Sequence, residues 1–164
     1  MLSPRIKPAL KGLITALVMM GFTLYLYYSK TPASSYLQYV PFFLYAAGIV
    51  WTLVAYRKSP AFVGKFGELF GQGFKCFVIV ILLMIAFSVT FISMHPEFKE
   101  ENAKAHREQL IKEKSTLPLQ IEEEVATFKK QFMLKYIRAS IFGYLVFGAA
   151  ITAAVSAGLT KRDL

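Results

Sequence analysis

The residues whose types and spacing come closest to a chemical motif are 64–76, GKFGELFGQGFKC, which combine glycines with lysines. Glycine-rich loops of this kind bind nucleotide phosphates in many proteins. A Walker-type loop needs a lysine and a hydroxyl residue directly after its last glycine, whereas Gly73 is followed by Phe74. A dinucleotide fingerprint needs glycine or alanine where Cys76 stands, and a strand before it. Both nucleotide-binding interpretations fail, and we predict no bound cofactor.

The remaining candidates for chemistry are two histidines, a run of glutamates and one cysteine. His95 and His106 lack the paired spacing of a metal motif, so we expect no metal site. Glu122–Glu124 are explained by the start of a helix, where the dipole favours anions. Cys76 is the only cysteine, which excludes an internal disulfide. We predict no catalytic residue and no enzyme activity; lipid head-group chemistry at Glu122–Glu124 or His106 is the least favoured alternative.

Long apolar runs dominate the rest of the sequence. Of 164 residues, 55% are hydrophobic and only 18% are charged, whereas a soluble domain carries about 25% charged residues. A membrane-spanning helix needs about 20 predominantly apolar residues, and four runs meet that requirement. We predict an all-α protein whose single domain, residues 1–164, is an integral membrane four-helix bundle. The predicted spans are about residues 10–29, 36–56, 74–95 and 133–158.

The first span has an alternative interpretation as a secretory signal peptide, because basic residues precede its apolar run. The run is longer than such regions usually are, and it ends in Tyr25, Tyr27 and Tyr28 rather than in small residues. A possible cleavage point after Ala33 has Pro32 directly before it. We therefore predict an uncleaved helix.

Lysine and arginine are enriched on the cytoplasmic side of membrane proteins, so they predict the orientation. Arg5, Lys7 and Lys11 precede the first apolar run, and basic residues also follow the second and fourth spans. This pattern places both termini in the cytoplasm and residues 96–132 outside it. Nine Lys and Arg residues in 96–138 oppose the orientation, although long segments cross largely regardless of charge. The net charge of +9 indicates anionic cytoplasmic lipids, and no nucleic acid, as partners.

Before the third span, the sequence predicts an interfacial helix on the cytoplasmic membrane surface, at about residues 60–73. On a helix of 100° per residue, its phenylalanines, polar residues and glycines fall on three different faces. The phenylalanines would enter the acyl boundary, and the glycines would admit another helix. A flexible glycine loop is the alternative. The residues concerned are Phe62, Phe66 and Phe70 on the aromatic face, and Gly64, Gly67 and Gly71 on the glycine face.

Two further groups are assigned by their positions in the spans. Tyrosines on either side of the first connection are predicted to anchor at head-group depth. Small residues recur at every fourth position in the last span, and such ladders mark a helix-packing face. The tyrosines are Tyr25, Tyr28 and Tyr36, and the two ladders are Ala149, Ala153, Ala157 and Ala150, Ala154, Gly158.

The outer segment between the third and fourth spans, about residues 97–132, is predicted to be helical. Pro96 ends the third span, and Glu and Lys pairs at helical spacing follow it. Apolar residues are few here, so we expect a solvated helix over the membrane surface. Thr116 and Pro118 predict a second helix, which no Gly or Pro interrupts from 119 to 142 and which continues into the last span.

Several stretches carry a family resemblance: YRKSPAFVGKFGELFGQGFKC before the third span, HPEF after it, the Glu- and Lys-rich outer segment and the basic end TKRDL. In these the chain resembles the bacterial domain-of-unknown-function family forty-one ninety-nine, which comprises small four-span inner-membrane proteins. Lys65 stands where a hydroxyl residue is common in that family. The resemblance implies the bacterial inner membrane and no assigned activity. It also implies an envelope-glycosylation partner, a polyprenyl-phosphate glycosyltransferase.

The four spans contain no ionisable residue away from their rims, whereas transporters usually place such residues at membrane depth. We therefore predict a non-catalytic accessory or scaffold subunit of a larger envelope membrane complex. Its partners would be other membrane protein subunits or further copies of the chain. The alternative function is that of a small carrier, pore or lipid-handling protein for apolar or lipid-like substrates.

Overall fold

The computed structural model describes residues 7–31, 35–113 and 118–161. Every regular element in these ranges is helical, so the prediction of an all-α fold is confirmed. Helices α1, α2, α3 and α5 are long and apolar enough to cross a membrane, as in a multi-pass membrane protein. The helices are α1 (Pro8–Tyr28), α2 (Val40–Arg57, after a 3-10 turn at Tyr36–Tyr39), α3 (Phe66–Met94), α4 (Pro96–Glu113) and α5 (Pro118–Lys161).

Helix α1 ends in a left-handed residue, Lys30, whose φ is 50°. The amide of Lys30 donates to the carbonyl of Tyr27 at 3.0 Å, and the amide of Thr31 donates to the carbonyl of Leu26 at 3.1 Å. This pair of bonds satisfies two carbonyls that the end of a helix leaves open. The connection around Pro32 lies outside the described residues.

The interfacial helix predicted at residues 60–73 is not a separate element. Residues 58–65 are not helical, and Gly64 has a φ of 83°, which favours glycine. Helix α3 begins at Phe66 and runs unbroken into the third span. At its start, the Glu68 carboxylate accepts a bond from the amide of Val63 at 3.1 Å and holds the entering chain. Phe62 and Gly64 therefore lie before the helix. The predicted residues within α3 are Phe66, Gly67, Phe70 and Gly71.

The chain forms two compact units. The bundle unit comprises Met1–Met84 and Phe142–Leu164, and the hairpin unit comprises Ile85–Ile141. The bundle unit therefore holds α1, α2, the first part of α3 and the last part of α5. The hairpin unit holds the end of α3, all of α4 and the first part of α5.

In the bundle unit, α1 meets both α2 and α3 at glycines. A Cβ placed on Gly12 would lie 2.6 Å from the carbonyl oxygen of Cys76. A Cβ placed on Gly48 would overlap the side chain of Thr15. Glycine permits this closeness because it has no side chain to hold two helices apart.

Helix α5 joins the bundle unit in the same way. A Cβ on Gly73 of α3 would overlap Thr152, and a Cβ on Gly148 of α5 would overlap the hydroxyl of Tyr45. The Tyr45 side chain is fully buried, and its hydroxyl donates to the carbonyl of Tyr144 at 3.0 Å. Each helix of the unit thus provides one glycine at a close contact. We call these the contact glycines: Gly12, Gly48, Gly73 and Gly148.

In the hairpin unit, α4 packs against the first part of α5. Ala103, Ile121 and Val125 are buried, and Leu110 and Phe128 pack against them. We expected α4 to be a solvated helix, and most of its residues are exposed. The contact of its few apolar residues with the apolar stripe at the start of α5 was not predicted.

Replacing Gly12 by alanine should destabilise the bundle unit, because the new methyl group meets the backbone of α3. We expect a loss of about 1–3 kcal/mol in the free energy of unfolding, the usual cost of overpacking. Gly21→Ala is the matched control, since Gly21 lies on the same helix with nothing within 4 Å. The control should be neutral or stabilise by up to about 1 kcal/mol. Thermal unfolding in detergent compares the two, and equal stability would contradict the packing described here.

Candidate functional site

Lys11 is a charged residue enclosed by the bundle unit. Its exposed fraction is 7%, and its ammonium lies over the indole ring of Trp51, 5.4 Å from the ring centroid. No carboxylate among the described residues pairs with it. Lys11 lies near the start of the first span, but its burial was not predicted from the sequence. Helix α1 begins at Pro8, so Lys11 falls within its first turn and is covered by the neighbouring helix.

Small polar side chains continue from Lys11 into the bundle unit. The Thr15 hydroxyl donates to the carbonyl of Lys11 at 2.8 Å. The Thr52 hydroxyl donates to the carbonyl of Gly48 at 2.9 Å, and its oxygen lies 3.3 Å from Sγ of Cys76. All three side chains are buried. The threonines satisfy their hydroxyls within their own helices, so these bonds have a structural role.

Two hydroxyls on α5, those of Thr152 and Ser156, are fully buried and have no hydrogen-bond partner in the described protein. Thr152 lies against the contact glycine Gly73. An unpaired buried hydroxyl costs about 1–3 kcal/mol. Thr15 and Thr52, in contrast, bond to the carbonyl four residues earlier on their own helices.

Two open apolar grooves flank α1 in the bundle unit. One, of about 490 Å³, lies between α1 and α3 and has Lys7 at its edge. The other, of about 280 Å³, lies between α1 and α2, and its lining includes Trp51 and Thr15. Both have the apolar lining that suits a hydrocarbon chain rather than a polar ligand.

The glycines predicted to form a packing face have no neighbour in the described part of the chain. A Cβ on any of them would meet nothing within 4 Å. Their predicted role therefore concerns a partner outside this chain, and it stays a prediction. These residues are Gly64, Gly67, Gly71 and Gly158.

The two predicted alanine ladders lie beside the face of α5 that enters the bundle unit. That inner face consists of Gly148, Thr152 and Ser156, which are all buried. The first ladder is half-buried and the second is exposed. They are Ala149, Ala153 and Ala157, and Ala150, Ala154 and Gly158, respectively.

The predicted membrane anchors lie at the surface of the bundle unit, and their anchoring role stays a prediction. The rings of Phe66 and Phe70 stack with centroids 5.8 Å apart. Phe62 packs edge-on against Tyr56 at 6.0 Å. The tyrosines are the most exposed: Tyr25 at 60%, Tyr28 at 70% and Tyr36 at 89%.

Charged residues of the hairpin unit pair across α4 and α5. Arg107 pairs with Glu122, and Lys129 pairs with Glu100. The hydrogen bond from Lys129 lowers the pKa of Glu100 below its ordinary value of 4.5. These pairs are exposed, so they align the two helices more than they stabilise them.

The two histidines belong to separate contacts. Nδ1 of His95 lies 2.7 Å from the carboxylate of Glu97. The ring of His106 stacks on Phe128 with centroids 4.5 Å apart. Within residues 7–31, 35–113 and 118–161, no three His, Cys, Asp or Glu side chains converge as metal ligands would.

A family model described as "Protein of unknown function (DUF4199)" matches residues 10–162, nearly the whole chain. The chain belongs to the DUF4199 family. The resemblance inferred from the sequence is therefore confirmed. Neither the curated proteins nor the solved structures gave a match. The DUF4199 description names no activity, so the function has to be argued from the groups described above.

For this DUF4199 chain, the sequence analysis missed the contact glycines and the Lys11–Trp51 pair. A signal for one glycine was present, since Gly48 is the only glycine of α2. The prediction concerned Gly67 and Gly71 instead, because they are spaced four residues apart. The lysine and tryptophan lie on different helices, so their contact depends on a register that no spacing within one helix reveals.

Acidification should loosen the hairpin unit of this DUF4199 chain. The folded pKa of Glu100 lies below 4.5, so its pair with Lys129 contributes stability above that pH. The contribution is lost as the pH falls through the folded pKa. Hydrogen exchange of the α4 amides, followed as the pH is lowered, should show this loss in the wild type and in Glu101→Gln. Glu100→Gln should lack it, and the same pH dependence in both variants would contradict the assignment.

Proposed function

We propose that this protein is a non-catalytic accessory subunit of a larger membrane complex, and that another membrane protein docks on the exposed small-residue face of α5. The supporting observation is the division of α5 into two faces. Its inner face, with Gly148, is occupied by α2 and α3. Its outer ladder, Ala150, Ala154 and Gly158, is exposed, with open space at Gly158.

A small-residue face indicates a docking site because the hydrophobic effect between helices is weak in a bilayer. Lipid tails solvate large apolar side chains well, so helices associate mainly through close van der Waals contact. Small residues permit that closeness, whereas a face meant only for lipid gains nothing from them. Helix α5 already uses a small residue in this way, at its contact glycine.

We place the protein in the bacterial inner membrane with both termini cytoplasmic and residues 96–132 outside. Basic residues before α1, between α2 and α3 and at the end of α5 support this, whereas the connection between α1 and α2 carries only Lys30. The nine Lys and Arg residues of 96–138 oppose it, but long segments cross largely regardless of charge. In intact cells an impermeant maleimide should label Glu108→Cys and not Lys58→Cys, with buried Cys76 silent. The reverse pattern would invert the orientation.

A second candidate function, a small carrier or lipid-handling protein, is supported by the two apolar grooves beside α1. Such a protein would move lipid-like substrates without a partner. Liposomes that contain the purified chain alone separate the two candidates: the accessory role predicts no flux or lipid scrambling above protein-free vesicles, and the carrier role predicts both.

Gly158→Leu should weaken the complex without impairing membrane insertion, because it fills the outer face of α5 while meeting nothing in this chain. Gly21→Leu is the matched control, since Gly21 also has open space around it but lies on α1. Purification in mild detergent should recover a stoichiometric partner with the wild type and the control, and less with Gly158→Leu. Gly67→Leu and Gly71→Leu test the glycine face of α3 in the same way.

Mass spectrometry of the recovered material distinguishes a second copy of the chain from a different subunit, including the glycosyltransferase implied by the resemblance. A wild-type protein that purifies as a lone monodisperse monomer would contradict the proposal. So would equal recovery with Gly158→Leu and Gly21→Leu.

A further inference from the structure

We propose that the groove between α1 and α2 binds an anionic phospholipid, with the lipid phosphate at Lys11 and an acyl chain along the groove. This site goes beyond the accessory role and does not depend on it. The groove has a volume of about 280 Å³, and its apolar lining is Ile14, Val18, Leu44, Ala47 and Trp51.

The charge of Lys11 requires a counterion that the described chain does not provide. The residue is more than nine-tenths buried, and its ammonium faces the indole ring of Trp51. A ring face attracts a cation but leaves its charge in place. An ionisable residue within a membrane-spanning helix that lacks a carboxylate partner is a candidate ligand site.

The start of α1 adds positive potential to the same place. Its N-terminal end has no side-chain cap and no acidic residue in the first turn. The dipole of a helix favours anions at this end. Lys7, which caps the helix, contributes a second positive charge one turn earlier. A phosphate at Lys11 would therefore meet the helix end, the ammonium and no opposing carboxylate among the described residues.

Lys11 adjoins the groove through two residues that line it. Trp51 covers the Lys11 ammonium and lines the groove, and Thr15, which bonds to the Lys11 carbonyl, lines it too. The charge therefore lies next to one end of the apolar channel. A phospholipid has the same arrangement, with a phosphate joined to hydrocarbon chains, whereas free phosphate would leave the apolar channel unfilled.

The depth of the site also fits a lipid head group. Lys11 lies three residues inside α1, which begins at Pro8, and three residues correspond to about 4.5 Å along a helix. Tryptophan concentrates at this depth, where one side of the ring contacts hydrocarbon and the other meets head groups. Trp51 is 42% exposed, so it contacts whatever occupies the groove.

The fluorescence of Trp51 provides a direct test, because the sequence contains one tryptophan. The full chain is reconstituted in phosphatidylcholine vesicles. One series contains increasing fractions of phosphatidylglycerol with brominated acyl chains, and the other contains the same fractions of phosphatidylcholine with brominated acyl chains. Bromine quenches tryptophan on contact, so the curves give the relative affinity of the two lipids at the groove. We expect a preference of about fivefold for phosphatidylglycerol, the effect of about one lysine near an anionic surface.

Three variants assign the preference to Lys11. Lys11→Gln should abolish it, Lys11→Arg should retain it, and Lys58→Gln should retain it, because Lys58 is an exposed lysine outside the groove. Thermal unfolding verifies that each variant is folded.

If a variant does not fold, the wild-type curves still decide, since equal quenching by both lipids overturns the proposal. An equal loss in Lys58→Gln and Lys11→Gln would overturn it too, as would abolition by inorganic phosphate at matched ionic strength, which would indicate a free-anion site.

Discussion

In a bilayer, lipid tails solvate leucine as well as a protein interior does, so the helices of the bundle unit depend on close van der Waals contact. The contact glycines provide it, one on each of the four helices. At Gly12 the neighbour is the backbone carbonyl of Cys76 rather than a flexible side chain, which leaves α1 little freedom to shift against α3. At Gly48 the neighbour is Thr15, which fixes the register of α1 on α2. That register brings Lys11 beneath Trp51 and forms the groove beside them.

The polar content of the bundle unit follows from the same constraint. Threonine is small enough for closely packed helices, and the hydroxyls of Thr15 and Thr52 donate to carbonyls of their own helices. Lys11 differs, because no carboxylate of the described chain neutralises its charge. A lipid phosphate supplies the missing charge from the surroundings. The membrane would then act as a component of the folded bundle and not only as its solvent.

The sequence predicts the larger features well, because they depend on composition and local signals. Run length and the scarcity of charge indicate four apolar helices, and the absence of Gly and Pro from 119 to 142 indicates the unbroken α5. Gly64 was placed on a helix because periodicity takes no account of its φ of 83°. The burial of Lys11 was not predicted, because it depends on Trp51 of α2, which is distant in sequence. Contacts between helices depend on a register that arises only when all four pack together.

Helix α5 links this packing to the proposed function. Its inner face meets the bundle unit at Gly148, Thr152 and Ser156, and its outer face presents the exposed residues Ala150, Ala154 and Gly158. A protein that used α5 only to span the membrane would need small residues on one face. The second small face is what an additional helix would require for close packing. The accessory role therefore depends on whether another helix contacts the outer face of α5.

A photo-crosslinking scan along α5 in native membranes tests that claim most directly. A photoreactive residue introduced in turn at positions 148–158 reports which side of the helix touches protein. We expect adducts to a second polypeptide at positions 150, 154 and 158, and adducts only within the chain at positions 148, 152 and 156. Adducts to lipid alone at the outer positions, or adducts to another polypeptide at every position irrespective of face, would contradict it.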